Sequence, residues 1–109
     1  MKNKIELKRS DWNKIVSDHD HKSEFYYCAS RGGYHKSFTF ENGYTVSVVE
    51  HSFSYGLELA IIHPDGKIKS HTHVKDSYRG GGIIGWNSID SCNSVIHTIG
   101  LIRKYRKAS

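Results

Sequence analysis

The chain has 109 residues, enough for one core and too few for two domains of ordinary size. Four Phe, seven Tyr and two Trp exclude a disordered polar chain, and no apolar run is long enough to cross a bilayer as a helix. Sixteen Lys and Arg against eleven Asp and Glu give a formal charge of +5, a field that speeds encounter with anionic partners without choosing among them.

Residues 1–9 are basic and polar, with weak alternation at Ile5 and Leu7 and no apolar leader-like segment. Ser10 or Asp11 reads as a helix cap. Trp12, Ile15 and Val16 follow at helical spacing, which predicts a short helix over 11–18. Residues 18–22 read as a polar loop. The aromatic run EFYYCAS, 24–30, predicts a strand, closed by the turn signal Arg31-Gly32-Gly33. Over 36–40, Phe38 and Phe40 alternate with Ser37 and Thr39. Glu41-Asn42-Gly43 then predicts a hairpin, because Asn-Gly readily takes the positive φ values of a type I′ turn. The partner strand is 44–51, with Val46 and Val48 on one face and Thr45, Ser47 and Val49 on the other.

LELAIIH, 57–63, is the most apolar segment and is expected to be a central strand. Pro64-Asp65-Gly66 turns the chain, and KIKSHTH, 67–73, predicts an edge strand guarded by Lys67 and Lys69. Residues 74–86 read as a loop containing Gly80-Gly81-Gly82. Asn87 is the expected cap of a C-terminal helix, with Asp90 as an imperfect capping box and Ile89, Cys92, Val95, Ile96 and Ile99 as its apolar stripe. Gly100 fits the position just past the helix end, with Leu101 packing back on Ile96. The alternative is a helix that runs through Gly100 to about Tyr105. Residues 103–107 form a basic tail. The pattern gives one α+β domain over 1–109: an antiparallel sheet of four to five strands packed by a C-terminal helix, with a short N-terminal helix that shares the covered face or guards an edge.

Phe40-Glu41-Asn42-Gly43-Tyr44, Ser47-Val48-Val49, Ser54-Tyr55-Gly56 and Glu58-Leu59-Ala60-Ile61 follow one another at set intervals, and Ile84-Gly85-Trp86 precedes the last helix. This series resembles a family of small bacteriophage accessory proteins, over roughly 38–101, with the first 35 residues as an extension. The resemblance implies phage origin rather than a chemistry. Where relatives carry acidic residues after the last strand, this chain has His71-Thr72-His73-Val74 and then a basic, glycine-rich loop. Asn42, Gly43, Tyr55 and Gly56 read as turn residues.

Several groupings bear on chemistry. His71 and His73 would face one way on a strand and could share a metal if Asp76, His51 or His63 came near. His19 and His21 repeat the spacing, and the plain alternative is solvated imidazoles. Cys28, in an aromatic strand, and Cys92, on the helix stripe, read as buried thiols rather than a disulfide or a nucleophile, and His97 does not face Cys92 around the helix. Gly80-Gly81-Gly82 beside Arg79 suggests an anion cradle, but no Lys-Ser/Thr follows it and no dinucleotide fingerprint is present. Basic and aromatic residues interleave at Arg31, Tyr34 and Lys36, at Lys75, Tyr78 and Arg79, and at Arg103, Lys104 and Arg106.

The sequence therefore predicts a cytoplasmic, non-enzymatic protein without a cofactor that binds and modulates a host protein, with Tyr34, Tyr78 and Arg79 as anchors. The alternative is a nucleic-acid-binding module that uses the basic loops, though no helix-turn-helix, zinc-finger or RNA-recognition pattern is visible. Lesser alternatives are a sponge for an anionic nucleotide and the histidine metal site. No membrane partner is expected, and the oligomeric state is open.

Overall fold

The structure, a computed structural model, describes residues 5–103. A 3-10 helix over Arg9–Lys14 leads into five strands, β1 (His21–Cys28), β2 (Gly33–Phe40), β3 (Thr45–Glu50), β4 (Glu58–Ile62) and β5 (Ile83–Ile84). A second 3-10 turn, Lys75–Ser77, lies between β4 and β5, and the helix α1 (Ile89–Gly100) follows. The sheet is antiparallel throughout, in the order β1-β2-β3-β4-β5. The α+β expectation is met.

Alternation places the core. Phe38 and Phe40 of β2, Val46 and Val48 of β3, and Leu59 and Ile61 of β4 lie on one face and are buried. Cys92, Val95, Ile96 and Ile99 of α1 close over them. At about 25 cal/mol per Å² of apolar surface, this two-layer burial is the main favourable term holding the fold. The opposite face carries Ser37, Thr39, Thr45, Ser47 and Ala60, a small and polar surface that no helix covers among the described residues.

The N-terminal segment packs on the helix side. Trp12 and Ile15 are buried, and Trp12 sits 5.9 Å from the Phe25 ring and 6.0 Å from Tyr34. The expected α-helix is a 3-10 helix that starts earlier, with Lys8 rather than Ser10 or Asp11 at its cap. Asp11 instead accepts from the Lys8 N–H at 2.9 Å. Helical spacing does not hold beyond Ile15, so Val16 points to solvent, and Asn93 of α1 fixes this end by bonding Lys14 O and Val16 N–H.

Four other expectations are corrected. The hairpin turn is not type I′, because only Gly43 has positive φ. Asn42 is drawn into a tertiary clamp: its Nδ2 donates to Ile99 O and Ile102 O, each at 2.9 Å, at the C-terminal end of α1. Residues 67–73 are not a strand and make only single bridges, and the outer partner of β4 is β5. β4, paired with β3 on one side and β5 on the other, is an interior strand as expected. Ser88 caps α1, accepting from Ser91 N–H at 3.0 Å, while the Asn87 side chain binds Leu57 O and Ile84 O. Gly100 is the last helical residue rather than a left-handed stop, so α1 does not continue through it and Leu101 is exposed; the alternative end at Tyr105 lies outside the described residues. Glycine is needed there because a Cβ would lie 2.5 Å from the His19 ring.

The β5 side of the sheet is closed by the β4–β5 connection. Ile61 N–H donates to Gly82 O, and Lys69 N–H donates to Ile61 O. Gly82, with φ 101°, allows this approach, since a side chain there would strike the Lys69 backbone. The β1 edge has no such cover among the described residues.

Candidate functional site

The loops 51–57 and 85–88 leave the same end of the sheet and are locked together. Trp86 N–H donates to Tyr55 O at 2.7 Å, and Asn87 N–H donates to Leu57 O at 2.9 Å. Ser54, fully buried, braces the first loop by bonding the His51 and Gly56 carbonyls. Both glycines of the two motifs exist for close approach. A Cβ on Gly85 would lie 2.5 Å from the Tyr55 Cβ, and one on Gly56 would lie 2.5 Å from the Trp86 ring.

The result is an exposed aromatic group, Phe53, Tyr55 and Trp86, at the end of a rigid sheet. Trp86 is 70% exposed and has φ 55°, the one non-glycine residue with positive φ among the described residues. A bulky side chain costs roughly 1–2 kcal/mol in that region. The fold thus holds its most exposed large ring in a strained backbone position, a pattern that clusters at functional sites.

Beside Trp86 lies a groove of about 530 Å³, lined among others by Leu57, Ile89, Glu6, Glu50, Asp90 and Lys14. Glu50 is buried, and its Oε1 accepts from Leu7 N–H at 2.9 Å. The groove therefore combines apolar walls, an indole rim and three carboxylates against one lysine, on a chain whose overall charge is +5.

The residues singled out from the sequence do not assemble. Arg31 is exposed on the β1–β2 turn at the same end as the aromatic group and lines a hollow with Phe53, His51 and Glu58. Burial, together with the nearby Arg31 charge, pulls the His51 pKa down. Tyr34 and Lys36 are engaged within the fold. Tyr34 stacks on Phe25 at 5.2 Å, and the Lys36 ammonium donates to Trp12 O and Ile15 O at 2.9 and 2.8 Å. Partial burial lowers the Lys36 pKa. Lys75, Tyr78 and Arg79 are exposed on the β4–β5 connection, with Lys75 alongside α1. Arg103 is exposed past the far end of α1, and Lys104 and Arg106 lie outside the described residues. The glycine run is no open cradle, since Gly82 N–H is spent on Ser77 O and α1 begins only at Ile89.

His71 and His73 sit on a turn, not a strand, with rings 5.0 Å apart. His71 Nδ1 accepts from His73 N–H, and His63 Nε2 faces the Lys69 and Ser70 carbonyls. No group of three or more metal-type ligands converges among the described residues. Burial, with His73 and His63 close by, lowers the His71 pKa. Cys92 is buried, and its thiol is pushed up to about 12 by desolvation. Cys28, expected in the core, is only half buried, on the uncovered face beside Ser30.

One contact was not expected. His35 Nε2 lies 2.7 Å from Ser47 Oγ on the uncovered sheet face. A nucleophile beside a base is half of a hydrolytic site, but His35 Nδ1 is buried without a partner. Ser47 pairs with Ser37 on one side and Ala60 on the other, inside the ladder where backbone amides are committed to neighbouring strands, so the site lacks donors for an oxyanion. Among the described residues no helix is long and apolar enough to cross a membrane. No protein-family model, curated protein or solved structure matches the chain.

Proposed function

We propose that this protein is a non-enzymatic accessory protein, phage-borne as its motif series suggests, which docks on a host protein through the end of the sheet that carries Phe53, Tyr55 and Trp86. The observation that carries the reading is Trp86, 70% exposed on a left-handed backbone and seated on Gly56. Exposed Trp and Tyr on a rigid frame are the residues that dominate protein–protein binding energy. The groove beside them asks for a partner segment with an apolar body and a basic head. Glu6, Glu50 and Asp90 meet the charge, and the indole offers a cation–π face.

The test is capture from host extract with the wild-type chain, Trp86→Gly, and the double variant Lys75→Glu/Arg79→Glu. A stoichiometric protein held by the wild type and the double variant but lost with Trp86→Gly supports the reading. A partner held equally by Trp86→Gly overturns it. Salt-sensitive binding to random DNA or RNA that disappears in the double variant would establish the nucleic-acid alternative in its place.

A further inference from the structure

β1 is a long sheet edge that nothing covers among the described residues. It pairs only with β2, and every residue from His21 to Tyr27 is exposed. Natural proteins blunt such edges with charge, proline, bulges or cover. Here Lys22 and Glu24 occupy the first half, and then Phe25, Tyr26 and Tyr27 follow at 39, 49 and 55% exposure. That leaves about 300 Å² of aromatic surface, at about 200 Å² per ring.

Backbone alternation fixes which groups point outward. Phe40 N–H donates to Tyr44 O and Phe40 O accepts from Gly43 N–H, so the even-numbered residues of β2 bond towards β3 and the odd ones towards β1. In the β1–β2 register Lys22 faces Thr39, Glu24 faces Ser37 and Tyr26 faces His35. The even residues of β1 therefore hold the ladder, and the N–H and C=O groups of Ser23, Phe25 and Tyr27 point away from the sheet.

We propose that β1 pairs antiparallel with β1 of a second copy of this chain, about a two-fold axis at Phe25, joining two sheets into one. Residues opposite each other must lie on the same face, which leaves few registers. An axis at Glu24 sets two carboxylates opposite each other, which is repulsive. An axis at Ser23 engages only 21–25 of the strand and leaves Tyr26 and Tyr27 uncovered. An axis at Phe25 overlaps 22–28 in both chains. It sets Ser23 opposite Tyr27, Glu24 opposite Tyr26 and Lys22 opposite Cys28, with no like charges facing, and the outward amides bond to one another. This self-matching is the ground for a second copy rather than an unrelated strand. Two copies supply at most about 600 Å² of aromatic surface, split over the two faces of the sheet, plus strand backbone, so the contact is at the small end of specific interfaces and weak, micromolar association is expected.

The experiment is sedimentation equilibrium of the full chain from about 1 to 500 µM, a range that brackets such a constant. A concentration-dependent dimer is expected. Ser23→Pro removes one outward N–H without touching the β2 ladder and should weaken the dimer at least about tenfold. Ser23→Glu and Tyr27→Lys should each weaken it, and the pair combined should regain most of the loss, because the two positions face each other across the axis. These two also serve if the proline variant does not fold. A wild-type monomer at the highest concentration overturns the proposal, as does a dimer indifferent to Ser23→Pro or a double variant whose losses simply add.

Discussion

Asn42 shows how far a tertiary contact governs this fold. Asn42→Ala deletes two bonds from Nδ2 to Ile99 O and Ile102 O, and one from Tyr44 N–H to Oδ1, all at 2.9 Å. A side-chain to backbone bond nets about 1 kcal/mol, and leaving its partner buried and unpaired costs about 1–3 kcal/mol instead. The two carbonyls stand at the end of α1, where Ile99 O keeps one bond from Ile102 N–H at 3.2 Å and water reaches in part, so the loss is close to the net value of the three deleted bonds. The loss should therefore be about 2–3 kcal/mol. With a urea slope of about 1.3 kcal/mol per M, the midpoint falls by about 2 M with the slope unchanged. The melting temperature falls by about 10–15 °C. The assay is urea unfolding followed in parallel by far-UV circular dichroism and tryptophan fluorescence. Asn42→Asp is the comparator: it keeps the acceptor for Tyr44 but sets a carboxylate against the negative end of α1, so it should be no better than alanine. A loss below about 0.5 kcal/mol in Asn42→Ala, or a wild-type midpoint in Asn42→Asp, would refute the clamp.

Lys36→Met removes both bonds that tie the first 3-10 helix to the sheet and should cost about 1–3 kcal/mol, seen as faster amide exchange over residues 9–16 with partner binding intact. A lost partner with unchanged exchange would return Lys36 to the interface. Trp86→Gly relieves a positive φ while giving up a mostly exposed ring, so its melting temperature should lie within about 5 °C of wild type while partner capture fails. The imidazoles of His35, His51 and His71 all have pKa values held below 6.5, chiefly by burial. Below about pH 6.5 the unfolded chain binds more protons than the folded one, so their stabilisation is complete above that pH and is lost as pH falls towards the lowered values. Melting temperatures should be level from about pH 7 to 8 and drop towards pH 5, with a shallower drop in His35→Gln; a rise on acidification contradicts this.

Much of the sheet was legible because burial on one face leaves alternation in the sequence. Phe38 and Phe40, Val46 and Val48, and the apolar stripe of α1 all announce their partners. The sequence signal for β1 starts three residues late, at Glu24, and overruns to Ser30, because an edge strand exposed throughout shows no contrast between faces and His21-Lys22-Ser23 looks like loop. β5 has two residues, too few for any pattern. Asn42 and Gly100 carried the right local signals for the wrong reasons: each is present for a distant group, the C-terminal carbonyls of α1 for one and the His19 ring for the other. The candidate site is present in the sequence in pieces. Ser54-Tyr55-Gly56 and Ile84-Gly85-Trp86 each read as a turn, and only their contact reveals that the two glycines make room for two rings. The basic residues drew attention because charge is visible one residue at a time, whereas a groove whose charge opposes that of the whole chain exists only after folding.

The two borders of the sheet differ in kind. Past β4 both polar groups of the Ile61 backbone are already taken, one by Gly82 and one by Lys69. If association runs through β1 as proposed, each chain offers only one full-length open edge among the described residues, so that route would close at a pair rather than grow into filaments.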